Sequence, residues 1–185
     1  MRPGNPEDAR ACGAICYKAF KAIADEHHFP PDFPDTEMAV GLMNYAFSSS
    51  GVYSVIAEGN GQIVGSNFLW ENRFIGGVGP ITVDPTCQNA AVGRKLMEQV
   101  LHRAEDLKLA SVRLVQAAYH NRSLSLYTKL GFDVREPLSV IQESVLSEAG
   151  NLDFWAIESA RVLLGRGCGD FGQAGFLSSP SKFAT

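Results

Sequence analysis

Residues 81–96 read ITVDPTCQNAAVGRKL, and this stretch decides the fold. A short apolar strand ends at Asp84-Pro85, a turn of small residues follows, and a helix begins without a long loop. Strand, tight turn and helix in this order present a row of unpaired backbone N–H groups at the positive end of the helix dipole. The pattern therefore predicts that the main chain at the start of this helix binds a phosphate.

Length and composition indicate one globular domain. The chain has 185 residues, of which 45% are hydrophobic and 19% charged, enough to bury a core without disulfides. No apolar run approaches the roughly 18 residues that a membrane span requires. The first residues lack the apolar core of a signal peptide. We therefore expect a soluble, cytoplasmic protein with no membrane partner.

Charge is unevenly distributed along the chain. The net charge is −4, yet residues 88–135 carry eight Lys/Arg against four Asp/Glu and form the only net-basic segment. Between Asp25 and Asp84 the sole base is Arg73, against eight acids. Such charge favours an anionic ligand near the basic segment and a cationic one near the acidic segment, although solvated surfaces give the same pattern. The sequence lacks a dense basic stripe with interleaved aromatic residues, so we expect no nucleic-acid partner.

The four cysteines do not indicate a metal site or a disulfide framework. Cys12 and Cys16 lie one helical turn apart in an apolar stripe. Cys87 lies in the turn before the helix at residues 91–107, and Cys168 lies in a Gly-rich tail. No C-x-x-C spacing occurs. We therefore expect reduced structural thiols and no bound metal.

Hydrophobic periodicity and turn residues predict the elements along the chain. A helix begins at Asn5-Pro6 and buries a face that runs from Cys12 to Ile23. Asn60-Gly61 between two β-rich runs predicts a hairpin. Further helices are predicted at residues 36–47, 91–107, 121–130 and 153–164, strands at 52–57, 62–69, 81–83, 111–117, 132–135 and 138–143, and a turn at 76–80. This order predicts a mixed α/β domain of three layers with at least one parallel crossover.

A second informative stretch, residues 115–132, reads VQAAYHNRSLSLYTKLGF. It places an Asn at the start of a short helix, a Tyr within that helix and a Gly-Phe after it. Together with Gln88-x-x-Ala91-x-Gly93 it resembles the two CoA-binding segments of the GNAT superfamily, the acyl-CoA-dependent N-acyltransferases. Arg2-Pro3 resembles the family's first strand, cut short. The resemblance spans residues 2–143 and implies a three-layer α/β/α fold whose mixed, mostly antiparallel sheet splays between its middle strands.

The resemblance implies a binding site for acetyl-CoA. The backbone of Ile81 and Val83 would pair with the pantetheine arm like an added strand, and Asn121 would hydrogen-bond the same arm. Ala91 stands where the family usually has Gly, and alanine keeps a helical backbone available there. The implied cofactor-binding residues are Ile81, Val83, Gln88, Asn89, Ala90, Ala91, Val92, Gly93, Arg94, Lys95, Asn121 and Ser123.

The resemblance also implies the catalytic groups. Tyr127 would lie near the thioester sulfur and protonate the departing thiolate, because a phenol with a pKa near 10 is a workable donor. The attacking amine must lose a proton, since an alkyl ammonium with a pKa of about 10.4 is not a nucleophile. Glu71 is the candidate for this base, with Glu58 and Asp84 as alternatives.

The loop after the first helix carries candidate substrate-binding residues. His27 and His28 lie in this loop, which lines the acceptor site in the resembled family. A pair of surface histidines in a Pro-rich loop is the alternative interpretation. The acceptor is expected to be the primary amine of a small molecule or peptide.

The sequence thus predicts an acyltransferase domain at residues 1–145, followed at residues 146–185 by a helix and a Gly/Ser-rich tail that is not an independent domain. The expected reaction is acetyl transfer from acetyl-CoA to an amine by direct attack, in a possible homodimer. A non-catalytic acyl-CoA-binding module and a degenerate fold used for assembly are the alternatives. Residues 167–172 fit G-x-G-x-x-G but follow a helix in this prediction, so they do not indicate a dinucleotide site.

Overall fold

The computed structural model describes residues 1–88, 91–142 and 156–167. The elements in chain order are β1 (Arg2–Pro3), α1 (Ala9–Glu26), α2 (Thr36–Ser48), β2 (Val52–Gly59), β3 (Gln62–Trp70), β4 (Ile75–Val78), β5 (Thr82–Val83), α3 (Val92–Asp106), β6 (Ser111–Ala117), α4 (Asn121–Lys129), β7 (Asp133–Gln142) and β8 (Ala156–Gly167). Short 3-10 helices, Pro6–Asp8 and Pro85–Cys87, precede α1 and α3.

One open mixed sheet forms the centre of the domain. Within the described residues its order is β1-β2-β3-β4-β6-β8-β7, and β5 pairs with β3. β4 and β6 run parallel and are connected through α3, whereas the other strand pairs are antiparallel. The predicted mixed, mostly antiparallel sheet is confirmed.

The sheet splays between β5 and β6. β4 pairs with β6 over residues 75–77. After Gly79-Pro80 the chain continues as β5, which pairs with β3, while β6 runs on to Ala117 and pairs along its other edge with β8. Among the described residues no strand lies between β5 and the end of β6. The expected splay therefore leaves a gap with backbone edges on both sides.

Hydrophobic clusters on both faces of the sheet give the domain its three layers. The cluster under α3 and α4 includes Leu96, Met97, Val100, Val112 and Phe132. The cluster under α1 and α2 includes Cys12, Cys16, Met43, Ile56 and Phe68. Full burial of each large apolar side chain contributes about 1.5–3 kcal/mol, so these two clusters supply most of the driving force for folding.

A capping box closes the N-terminal segment. The Asn5 side chain accepts a hydrogen bond from the Glu7 N–H, and the Asp8 carboxylate accepts one from the Asn5 N–H. Arg2 donates two 2.7 Å hydrogen bonds to the same carboxylate, which lowers the pKa of Asp8. The predicted helix start and the short first strand are confirmed.

The hairpin and the thiols also follow the sequence prediction. Asn60 and Gly61 have φ of 52° and 74°, as a two-residue turn of type I′ requires. Cys12 and Cys16 are fully buried, and burial raises their thiol pKa values to about 11 and about 12. Cys87 is half-exposed and free.

Two predicted boundaries are wrong in the middle of the chain. Residues 76–80 were expected to turn, yet residues 75–78 form β4. Gly76 packs closely there: a Cβ would lie 2.8 Å from Leu69 Cδ1 and 2.9 Å from Leu109 Cδ1, so both leucine side chains would have to shift. The two strands expected over 132–143 are one strand, β7. Its pairing with β8 changes register between Val134 and Glu136, and this irregularity lets the strand continue through Pro137.

The predicted helix at residues 153–164 is also wrong. Residues 153–155 lie outside the described residues, and Ala156–Gly167 forms β8 between β6 and β7. Ala156, Glu158, Ala160, Arg161, Leu163 and Leu164 are residue types that favour a helix, but an isolated helix of about 12 residues is marginal. As a strand the segment pairs with β6 and β7 along both edges, and this satisfies more of its backbone hydrogen bonds than a short helix would. Tertiary context therefore overrides local propensity.

Candidate active site

The splayed strands open into a cleft of about 970 Å³. Its walls are the C-terminal half of α1, the β5 segment, the N-terminus of α3, the end of β6 and the length of α4. A volume near the upper end of the range for small-molecule sites fits a large ligand that bridges several elements. Most of the residues expected to act at the site meet in this cleft.

The start of α3 presents free backbone donors to the cleft. The first hydrogen bond within this helix runs from Lys95 N to Ala91 O, 3.1 Å. The N–H groups of Val92, Gly93 and Arg94 therefore have no acceptor inside the helix, and all three residues line the cleft. Binding of a phosphate at this helix start stays a prediction. Lys95, in contrast, is exposed and is not among the cleft-lining residues.

Ala91 departs from its expected conformation. It was expected to adopt helical backbone, but it lies before the helix in the left-handed region, with φ 57° and ψ 14°. This conformation costs a non-glycine residue roughly 1–2 kcal/mol. Asn89 and Ala90, also expected to bind the cofactor, lie outside the described residues.

A polar bridge joins the two segments that the sequence had marked. Arg122 Nη1 donates a 2.7 Å hydrogen bond to Gln88 Oε1, across the outer part of the cleft. Arg94 also lines the cleft and pairs with Glu98 at 2.8 Å. Arg94, Arg122 and the start of α3 thus all belong to the cleft lining. The sequence prediction had given Arg122 no role.

The β5 segment turns part of its backbone toward the gap. The Asp84 N–H donates to Val64 O on β3 at 2.9 Å. Because successive backbone groups of a strand point to opposite edges, the Val83 N–H points away from β3, toward the open side. Ile81 and Val83 both line the cleft. An extended ligand lying along this edge meets the backbone groups that the sequence prediction assigned to the pantetheine arm.

Helix α4 carries Asn121, Ser123 and Tyr127 into the cleft. Asn121 was considered as a cap, but the N-cap residue is His120, whose side chain makes no capping bond. Asn121 is exposed, so its amide is available to a ligand. Tyr127 is 5% exposed, and burial raises its pKa to about 12, with the Ser123 hydroxyl acting in the opposite direction. The phenol is therefore a protonated donor at neutral pH.

Gln116 is a buried polar residue that the sequence prediction missed. It lies on the same face of β6 as the core residues Val112 and Leu114, and it lines the cleft between β6 and α4. It is 6% exposed, and neither its Oε1 nor its Nε2 has a hydrogen-bond partner among the described residues. A buried amide without partners is costly, so the site fits a ligand that supplies polar groups. Alternation along the strand was the signal that marks this residue as buried.

His120 is a second missed residue. It lines the cleft between β6 and α4, and its Nδ1 lies 2.9 Å from Ser123 Oγ. Burial lowers its pKa, and the charges of Arg122 and His27 act in the same direction, opposed by Glu26. The imidazole is therefore mostly neutral at pH 7. Its chain position gave no signal, because a single His before a helix has no periodicity.

The α1 side of the cleft carries the predicted acceptor loop. His27 lines the cleft, and its ring lies 5.0 Å from that of Tyr119, which also stacks on Phe29 at 4.4 Å. Glu26 and Asp32 line the same side. His28 is exposed and is not among the cleft-lining residues, so only the first of the two histidines is brought to the site.

Glu71, the expected base, lies elsewhere. Its carboxylate accepts hydrogen bonds from Arg103 at 2.7 and 3.3 Å. Arg103 follows the start of α3 by eleven residues, roughly 16 Å along the helix axis. The weaker alternatives also have other partners: Glu58 accepts from Arg2, and Asp84 accepts from the N–H and hydroxyl of Thr86. The end of β3 lies where β3, β4 and β6 are still paired, away from the splay. The spacing of residues in the sequence did not reveal this.

Metal chemistry has no support in the described part of the chain. No group of three or more His, Cys, Asp or Glu side chains converges there in a way that would hold a metal ion. Among the same residues, no helix combines the length and apolar character that crossing a bilayer requires.

Comparison with known proteins identifies the family. A family model described as the acetyltransferase (GNAT) family matches residues 17–132, more than half of the chain. No curated protein sequence matches significantly.

Solved structures share the fold at low identity. The ribosomal-protein-S18-alanine N-acetyltransferase from Escherichia coli is 15% identical with a TM-score of 0.65, covering 95% of this chain and 97% of its own. A GNAT superfamily phosphinothricin acetyltransferase from Sinorhizobium meliloti, solved with AcCoA, is 18% identical with a TM-score of 0.66, covering 91% and 87%. The PaiA N-acetyltransferase from Thermoplasma acidophilum, solved with coenzyme A, is 12% identical with a TM-score of 0.63, covering 90% and 96%. The family match, together with the shared fold, shows that this chain belongs to the GNAT family of acetyltransferases.

Proposed function

We propose that this chain transfers an acetyl group from acetyl-CoA to the primary amine of an acceptor by direct attack. The observation that carries the proposal is the single cleft in which a helix start with free N–H groups, a buried protonated tyrosine and a separate acidic wall are brought together. Each of the three matches one requirement of the reaction: binding of an anionic co-substrate, protonation of the leaving group and attraction of a cationic amine.

The charges in the cleft are sorted by side. Two acidic residues line the cleft on the α1 side: Glu26 is the last residue of α1, and Asp32 lies in the loop after it. The basic ones, Arg94, Arg122 and Lys129, belong to α3 and α4. Local fields of opposite sign concentrate an anion on one side and a cation on the other. This arrangement supports a phosphate-bearing thioester at α3 and α4 and an ammonium group at α1.

The described residues fit acetyl-CoA. The N–H groups of Val92, Gly93 and Arg94 suit the pyrophosphate oxygens, with Arg122 nearby as a charged donor. The open edge of β5 suits the amides of the pantetheine arm. Gln116 offers a buried amide to a polar group of either substrate.

Tyr127 is proposed as the general acid. The acceptor ammonium first loses one proton to solvent. The neutral amine nitrogen then forms a bond to the thioester carbonyl carbon, the C–S bond breaks, and Tyr127 gives its phenolic proton to the departing sulfur. The second proton lost by the nitrogen passes to solvent, and solvent returns a proton to the phenolate. The raised pKa of Tyr127 keeps that proton on the phenol across the working pH range. No covalent intermediate on the protein is invoked, because the described cysteines include no thiol activated by a base.

The acceptor class follows from the acidic wall and from the names of structural relatives. Those relatives act on phosphinothricin and on a ribosomal-protein alanine. Both carry a primary amine, the group that Glu26 and Asp32 would attract as a cation. We propose an amine of this class as the acceptor. Cytoplasmic location and homodimer formation stay predictions.

Amine-dependent release of free CoA tests the proposal. Purified protein is incubated with acetyl-CoA and either phosphinothricin or a peptide that begins with alanine, and the thiol is quantified. Release above the rate without amine is the expected result. Tight binding of acetyl-CoA with no release for any amine in a wider panel would instead support the non-catalytic acyl-CoA-binding module, and absence of CoA binding would support a degenerate fold.

A further inference from the structure

Gln116 occupies a position in β6 that suits an apolar residue. Burial alternates along this strand, so Val112, Leu114 and Gln116 lie on one buried face, and the residues between them are exposed. Val112 and Leu114 belong to the hydrophobic cluster under α3 and α4. Gln116 continues the same face one residue before the end of the strand, and it lines the cleft. The apolar face therefore ends in a carboxamide at the wall of the cleft.

A second buried amide, that of Asn67, shows how the fold treats such a group away from the cleft. Asn67 is fully buried, and its Oδ1 accepts a 2.9 Å hydrogen bond from the Phe68 N–H while its Nδ2 donates to Leu96 O at 3.4 Å. Gln116 is 6% exposed, yet neither Oε1 nor Nε2 has a partner among the described residues. A buried amide without partners costs free energy that an apolar residue would not cost. A ligand that supplies the partners therefore gives the amide a functional reason.

The location of Gln116 narrows the choice of ligand. β5 and the end of β6 are the two sides of the gap in the splayed sheet, and Gln116 is the second-last residue of β6. Ile81 and Val83 line the cleft on the β5 side. The part of CoA proposed to lie along the open edge of β5 is the pantetheine arm, whereas the pyrophosphate is proposed to bind at the start of α3.

The chemistry of the carboxamide points to the same part of CoA. Nε2 donates hydrogen bonds and Oε1 accepts them, so a ligand that satisfies Gln116 must offer both an acceptor and a donor. A pyrophosphate and a thioester carbonyl offer acceptors alone, and an ammonium group offers donors alone. The pantetheine arm carries two secondary amides, each with one N–H and one C=O. It therefore meets both requirements within the gap.

We propose that Gln116 binds the pantetheine arm of CoA, with Nε2 donating to an amide C=O and Oε1 accepting from an amide N–H. This assignment rests on the proposed use of acetyl-CoA and adds a side-chain ligand that the family resemblance did not supply. Both polar atoms are shielded from solvent, so the amide turns toward the arm by rotation about its side-chain bonds. The rotation breaks no hydrogen bond to the described residues, which keeps its free-energy cost low.

Calorimetry with CoA and with a ligand that lacks the arm tests the assignment. The second ligand is adenosine 3′-phosphate 5′-diphosphate, which keeps the adenosine and the pyrophosphate. Gln116→Met keeps the length of the side chain and removes both hydrogen-bonding atoms. It is expected to raise the Kd for CoA about tenfold, because two modest hydrogen bonds are lost, and to change the Kd for the armless nucleotide by less than about twofold.

A matched variant controls for the substitution itself. Gln62→Met makes the same change at an exposed position at the start of β3. Its Kd values for CoA and for the armless nucleotide are expected to stay within about twofold of the wild-type values. Melting temperatures of both variants establish that each is folded.

The wild-type protein gives a second readout that needs neither turnover nor a folded variant. The full-length chain is labelled with nitrogen-15 in its glutamine side chains, and the Nε2 signal of Gln116 is assigned through bonds to its own backbone. CoA is expected to move the Nε2 proton signals downfield as hydrogen bonds form. The armless nucleotide is expected to leave them in place.

Three results would overturn the assignment. The first is an equal Kd for CoA in the wild-type and Gln116→Met proteins with unmoved Nε2 signals, as expected if an ordered water satisfied the amide. The second is an equal rise in Kd for CoA and for the armless nucleotide, which would place Gln116 against the nucleotide. The third is a raised KM for the amine acceptor with unchanged affinity for CoA, which would place Gln116 against the acceptor.

Failure of the proposed function gives a different result. A protein that binds CoA through Gln116 but releases no thiol with any amine would reject acetyl transfer and support the Gln116 assignment. A wild-type protein that binds neither CoA nor the armless nucleotide would reject both.

Discussion

Arg122 and Gln88, 34 residues apart in the sequence, are joined by a 2.7 Å hydrogen bond from Nη1 to Oε1. The bond connects the start of α4 to the loop before α3, the two segments that the sequence marked as parts of one binding site. Arg122 and the first residues of α3 line the same cleft. We propose that the main-chain donors at the start of α3 and the Arg122 guanidinium bind the CoA pyrophosphate together.

Arg122→Ala is expected to weaken CoA binding about tenfold, because a charge-assisted hydrogen bond contributes roughly 1.5–3 kcal/mol and part of it is lost to solvent at an exposed site. Titration calorimetry with CoA at 50 and 200 mM salt measures the change and its salt dependence. Arg10→Ala is the matched control, since Arg10 is exposed and pairs only loosely with Glu37 at 3.5 Å. Equal affinity in both variants would contradict the assignment.

Ala91→Gly is expected to stabilise the protein by up to about 1 kcal/mol, because glycine adopts the left-handed backbone of this position without the cost that alanine bears. Urea denaturation measures the free energy of unfolding. Ala11→Gly is the matched control: Ala11 is exposed on α1, and glycine there should destabilise by roughly 0.5–1 kcal/mol. A loss of the same size from both substitutions would show that residue 91 is not strained.

Tyr127→Phe is expected to lower kcat by about 100-fold while the Kd for acetyl-CoA stays within about twofold. Steady-state kinetics and calorimetry give the two values. A variant with normal kcat would remove the general-acid role.

The raised pKa of Tyr127 also predicts a pH dependence of stability. Between pH 10 and about 12 the unfolded chain loses the phenolic proton while the folded chain keeps it. The unfolded state then binds fewer protons, so the stability contributed by Tyr127 falls as the pH rises through this window. Tyr127→Phe should show a smaller decline from pH 9.5 upward in urea titrations. Parallel curves for the two proteins would be inconsistent with a buried phenol.

Gln116→Met is expected to raise the free energy of unfolding by about 1 kcal/mol and to lower kcat/KM. Methionine matches the length of glutamine, and it removes a buried amide whose two polar atoms have no partner among the described residues. Gln62→Met at an exposed strand position is the control and should stay within about 0.5 kcal/mol of wild type. A destabilised Gln116→Met protein would indicate that the amide is satisfied in the free enzyme.

Glu71→Gln is expected to reduce stability by less than about 1 kcal/mol and to leave kcat unchanged, because its half-exposed pair with Arg103 is distant from the cleft and partly screened by solvent. Urea denaturation and the thiol assay provide both numbers. A tenfold or larger loss of kcat in Glu71→Gln would show that Glu71 takes part in catalysis despite its position outside the cleft.

Local signals predicted most of the framework. The Asn5 cap, the Asn60-Gly61 hairpin and the periodicity of α1 and α3 are properties of short segments, so each could be identified without knowledge of the fold. The two segments that bind CoA in the resembled family were also identified, because their backbone geometry depends on residues close in sequence.

Long-range context determined what the sequence did not reveal. Residues 156–167 include many helix-favouring residues but form β8, because β6 and β7 each provide an edge with which this segment pairs. The left-handed backbone of Ala91 depends on how the loop before α3 meets the helix. His120 lines the cleft and Glu71 does not, because the position of a side chain relative to the cleft depends on the packing of strands and helices that are distant in sequence.

Acetyl transfer with isotope-labelled acetyl-CoA tests the central claim most directly. The full-length chain is incubated with [13C2]acetyl-CoA and the alanine-starting peptide or phosphinothricin, and the masses of acceptor and protein are measured together. We expect one labelled acetyl group on the acceptor, none on the protein, and loss of the product with Tyr127→Phe. An acceptor that stays unlabelled across a panel of primary amines, while the protein binds acetyl-CoA, would contradict the account.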